Sequence, residues 1–170
     1  MGGKFKPVLL AGCLTLAACI DSGNRGWDLG PEPDLVGGTA MPQAWRGVHA
    51  GRIGFRCREG RVLLFVETWH PLAVPLGQRT PMSLDYRFNV AGDKEGSVEG
   101  VATSRGIEIP AASIGQGAPN DLLRRLSDDA SDLVVGLPGA RHGITIKFDV
   151  SAAGHAHRLV LGECQARPTS

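Results

Sequence analysis

Apolar residues recur at every second position in several stretches of this chain, and that period constrains its fold more than any other feature. Ile53, Phe55 and Cys57 alternate with Gly54 and Arg56. Leu84, Tyr86, Phe88 and Val90 alternate with Asp85, Arg87 and Asn89, and Ile144, Ile146, Phe148 and Val150 with Thr145, Lys147 and Asp149. Successive side chains of a strand point to opposite faces, so each stretch predicts a strand with one apolar and one wet face. Val62 to Val66 is a continuous apolar run after the turn Glu59-Gly60, and it predicts a hairpin with the first strand. The polar turn over 91–96 returns Ser97 to Thr103 as another strand. Leu133 to Leu137, ended by Pro138-Gly139, pairs with the strand over 144–150.

Helical spacing occurs twice. Asn120 is a good N-cap with Asp121 behind it, and Leu122, Leu123, Leu126 and Ala130 fall on one side, opposite Arg124, Arg125 and Asp128. Ser151 is expected to cap a last helix in which Ala152, Ala156, Val160 and Cys164 form one stripe. Gly154 and Gly162 weaken that helix, so packing must hold it. The fold class that follows is α+β: a mainly antiparallel β-sheet with one mid-chain helix and one C-terminal helix packed on it.

The start of the chain reads differently. Lys4 and Lys6 precede an apolar stretch from Pro7 to Ala18 that is too short to span a bilayer and passes into Asp21, Gly23 and Asn24. Leu16-Ala17-Ala18-Cys19 resembles the lipobox of bacterial lipoproteins, which implies cleavage before Cys19 and lipid on its thiol. The alternative is an ordinary secretory signal cut elsewhere. Ile20 stands where an aspartate would favour retention at an inner membrane, so the expected location is the outer membrane, facing the periplasm. Residues 1–18 are thus expected to be a signal peptide, 19–44 a flexible Gly/Pro-rich tether with a span of roughly 25 to 30 Å, and 45–170 a single domain. Trp27 could meet the interface or a partner, whereas Trp45 begins the packed part.

Of the four cysteines, Cys13 leaves with the signal and Cys19 is the candidate lipidation site. Cys57 and Cys164 remain, both on apolar faces, and a C-terminal helix on the sheet can bring them together. An oxidising compartment favours one long-range disulfide over two buried thiols or a metal pair.

Charge and motifs narrow the function. Losing Lys4 and Lys6 leaves Lys plus Arg one below Asp plus Glu, which argues against a general nucleic-acid binder. Ser113 lacks the glycine surround of a nucleophile elbow, and Gly115-Gln116-Gly117 lacks the third glycine of a dinucleotide loop. His155 and His157 point about 200° apart on a helix and read as solvated, with His142 upstream. His70 lies where a strand enters a loop, Asp85 and Arg87 on a wet face, and Asp128, Asp129 and Asp132 at a helix end without calcium-loop spacing. No catalytic residue, metal site or cofactor is expected, and no binding residue can be named.

Ile53-Gly-Phe-Arg-Cys57, Leu84-Asp-Tyr-Arg-Phe88, Asn120-Asp-Leu-Leu-Arg-Arg-Leu126 and Ile146-Lys-Phe-Asp-Val150, with a terminal helix closing on Cys164, resemble the type VI secretion-associated (VasI-like) family. The resemblance covers roughly the last two thirds of the chain and rests on short motifs. It implies an exported accessory or binding protein with an envelope protein partner, not an enzyme. Two alternatives stand beside it. A lysozyme-inhibiting envelope lipoprotein would share the early and late cysteines, although the Ser-Gly-x-x-Tyr motif of that class is missing and Tyr86 is the single tyrosine. An orphan structural lipoprotein of the envelope is the other.

Overall fold

The computed structural model describes residues 26–32, 41–89, 93, 95–127, 129–138 and 143–166. Nine strands form one sheet: β1 (Asp28–Glu32), β2 (Met41–Val48), β3 (Gly51–Arg58), β4 (Arg61–Thr68), β5 (Thr80–Phe88), β6 (Gly96–Ala102), β7 (Gly106–Pro110), β8 (Asp132–Leu137) and β9 (Ile144–Asp149). Their order across the sheet is β1-β2-β3-β4-β7-β6-β5-β8-β9, and every neighbouring pair is antiparallel. Two helices, α1 (Asp121–Arg125) and α2 (Ala153–Ala166), complete the α+β fold.

The alternating stretches lie where the sequence predicts them, and their apolar sets share one face. Ile53, Phe55 and Cys57 of β3, Val62, Leu64 and Val66 of β4, and Leu84, Tyr86 and Phe88 of β5 join one core. Helix α2 covers that core at β2, β3 and β4, and Ala156, Val160 and Cys164 are buried on it. The sheet curls until β9 comes back against β2, where Arg46 of β2 pairs with Asp149 at 2.6 Å. Cys57 and Cys164 are joined by a disulfide with Cα atoms 5.5 Å apart.

Strand β7 has no counterpart among the elements expected from the sequence. It is only five residues long, with Ile107 and Ile109 in the core and Pro110 ending it. Because β7 and β6 lie between β4 and β5, the loop over 69–79 must cross the ends of both strands. It is held there by the Leu72 N–H, which donates to Ser104 O at 3.1 Å.

The expected tether over 19–44 needs correction. The sheet begins inside it, at β1 and the start of β2, and Trp27 is only 4% exposed. Its ring stacks on Phe55 with centroids 5.9 Å apart, and its indole N–H donates to Ser151 O at 2.8 Å. The folded part therefore starts before residue 45. Gly and Pro masked this, because Gly30 and Pro31 belong to an edge strand, which tolerates them.

The helix starts differ from each other. Asn120 caps α1 as expected, its Oδ1 accepting from the Leu123 N–H at 2.9 Å. Ser151 does not cap α2. Helix α2 starts after Ala152, which takes φ +61 and offers its carbonyl to the Ala156 N–H, while Ser151 accepts from Trp27 and Arg46. Cys19, the signal 1–18 and His142 lie outside the described residues.

Candidate functional site

The face of the sheet opposite α2 carries the second set of side chains from the strands just described. Arg52, Gly54 and Arg56 of β3 register with Glu67, Phe65 and Leu63 of β4, and Phe65 registers in turn with Glu108 of β7. Alternation predicts this face to be wet, but Arg56 is 3% exposed, and Phe65, Glu67 and Glu108 are buried beside it. Gly54 makes the arrangement possible. A Cβ there would come within 2.7 Å of the Phe65 ring and collide with the Ala44 carbonyl. The ring fills that space, and the Arg56 guanidinium lies 3.7 Å from its centroid.

Buried charges need partners, and an ionic chain supplies them. Glu67 takes Arg52 Nε and Arg56 NH2, each at 2.5 Å. Glu108 takes Arg58 NH1 at 2.7 Å and Arg79 NH2 at 2.9 Å, with Arg56 NH1 at 3.8 Å. Burial by itself would raise the Glu67 carboxyl, but the charge and hydrogen bond of Arg56, joined by Arg52, outweigh it and hold its pKa below the ordinary value. Within these six side chains four guanidiniums face two carboxylates.

A cleft of about 170 Å³ opens beside this chain, between Arg56, Arg58 and Glu108 and the β6–β7 turn at Thr103, Ser104 and the exposed Arg105. Guanidiniums in this setting bind carboxylate or phosphate oxygens through paired N–H donors. A second, larger groove of about 390 Å³ runs between β1–β2 and α2, with Leu29, Pro42, Leu159 and Glu163 on its walls.

Of the residues singled out from the sequence, the fold unites Cys57 and Cys164 and scatters the others. His70 is exposed in the loop after β4, Asp85 and Arg87 are exposed side by side on the outer face of β5, and Asp132 pairs with Lys147 at 2.8 Å. The expectation of solvated histidines fails for His157. It is 4% exposed, packs edge-on against Phe55, and holds Nε2 at 2.8 Å from Ala111 O. Burial lowers its pKa, so the neutral ring, with Nε2–H donating to Ala111 O, is the form the core favours. Tyr86, whose OH donates to Asp121 at 3.1 Å, is pushed up to about 12 by burial and by that carboxylate. Among the described residues no three His, Cys, Asp or Glu side chains are grouped to share a metal, and no helix is long and apolar enough to cross a membrane.

Sequence reasoning missed the ionic chain. Its one visible sign was the fully apolar Val62–Val66, where both faces of a strand are filled and so both must be covered.

Fold and site together define a disulfide-closed antiparallel α+β domain with an arginine-rich cleft on its sheet. Comparison with known protein families, with curated proteins and with solved structures finds no match.

Proposed function

We infer that the chain is an exported accessory protein that works by binding, without catalysis of its own, and is held by lipid on Cys19 at the outer membrane, facing the periplasm. The observation that carries this reading is the Cys57–Cys164 disulfide, which ties β3 to α2 across 107 positions. Such bonds persist in oxidising compartments and are rare where thiols are kept reduced. The signal and Leu16-Ala17-Ala18-Cys19 supply a route to that compartment. The partner is an envelope protein, and the resemblance of the strand motifs makes a type VI secretion component the first to try. Its contact would bring a carboxylate to Arg58 and Arg105 at the sheet cleft.

Growth with a clickable fatty acid tests the anchor. The chain takes up label and a Cys19→Ala variant does not. A variant that labels as the parent does would refute the anchor on Cys19.

A further inference from the structure

We propose that the loop over 69–79 is a second membrane contact, which orients the domain on the bilayer beside its lipid anchor. The proposal rests on the anchor at Cys19 inferred above.

The loop presents apolar residues that the fold leaves outside. Leu72 and Val74 are buried and pin the loop to the core, whereas Trp69 is 56% and Leu76 90% exposed. Leu76 is held out by a tight turn, in which the Gln78 N–H donates to Pro75 O at 3.0 Å and Gly77 takes φ +81. Trp69 is also fixed, its main-chain N–H donating to Ala50 O and its indole N–H to Val48 O. A preordered loop with a tryptophan and a leucine outward suits the headgroup region, where an indole has one apolar and one wet side.

Position and charge select a bilayer over other occupants. Gly26 accepts from Arg46 Nε, and β1 starts opposite Trp45, so the chain reaches the sheet at the end that carries the β2–β3 turn. Trp69 bonds to that same turn. From β1 to β4 is three strand spacings, about 14 Å. Seven chain steps lead from Cys19 to Gly26 and reach at most about 25 Å, so a lipid on Cys19 keeps the bilayer within range of the loop. The segment 69–79 holds no Asp or Glu. It therefore brings no negative side chain of its own against anionic headgroups.

The full acylated chain is reconstituted into phosphatidylethanolamine/phosphatidylglycerol vesicles whose acyl chains are brominated near the headgroup, and tryptophan fluorescence is read. Parent and variants all carry Trp45→Phe, because Trp45 is half-buried. We expect quenching in this parent and at least a threefold smaller quenched fraction in Trp69→Phe, where only Trp27 remains, buried in the core. Leu76→Asp should reduce quenching in the same direction while remaining bound to the vesicles. Equal quenching in the parent and Trp69→Phe, with acylation verified by mass, overturns the loop contact and leaves the anchor standing. A chain whose mass carries no acyl groups overturns both.

Discussion

Replacing both cysteines, Cys57→Ala with Cys164→Ala, removes the cross-link without leaving a lone thiol in the core. The closed segment spans 107 positions. In the chain-entropy description a loop of that length restricts the unfolded chain by about 16 cal/mol/K, which is about 4.8 kcal/mol at 25 °C. Both cysteines are buried in the core, so the substitution also loses packing there, and the sign of that contribution is the same. Domains of this size are stable by about 5 to 15 kcal/mol, so a large share of the total is at stake. With a urea slope of about 2 kcal/mol/M the midpoint moves down by about 2.4 M. The assay is urea unfolding followed by far-UV circular dichroism, with the parent measured in parallel with and without reductant. A midpoint within about 0.5 M of the oxidised parent would refute the reasoning, because the cross-link would then not be restraining the unfolded chain.

Two further outcomes follow from the buried polar groups. Glu67→Gln leaves Arg56 buried without its closest carboxylate and should cost about 3 kcal/mol in urea unfolding; a loss under about 1 kcal/mol would mean that Glu108 alone satisfies it. The native Glu67 pKa lies below its unfolded value of 4.5, so its stabilisation is present above that pH and disappears as pH falls through the native pKa, and the Gln variant should lack this acid limb. His157 also titrates lower in the native state than its ordinary 6.5, so below that value the unfolded chain binds the extra proton and stability falls. His157→Gln keeps a donor for Ala111 O and should flatten the loss between about pH 7 and about pH 5; an unchanged slope would place the titration elsewhere.

How much of this was legible depends on which contacts are local. Strands β3, β5 and β9 follow from period-two alternation, and α1 from Asn120, because the cap bonds to Leu123 only three residues away. The stripe Ala156, Val160, Cys164 placed α2 on the sheet, and with it the disulfide. Ser151 carried the same local signal as Asn120, yet its oxygens serve Trp27 and Arg46. A cap is decided by competition, and the competitors here come from more than 100 positions away.

The second face of the sheet is the other divide. Alternation reports that Arg56 and Ile53 point opposite ways; it carries no information about what covers the opposite side. Only the tertiary structure decided that Arg56, Glu67 and Glu108 are brought together from three strands over Phe65, that Gly54 leaves room for that ring, that Trp27 belongs to the core and that β1 belongs to the sheet. By itself the sequence determined the α+β class and the inward cysteines, since each rests on side-chain order along a few residues. Burial of a charged or aromatic group depends instead on partners supplied by distant segments, and the sheet order that supplies them exists only in the folded chain.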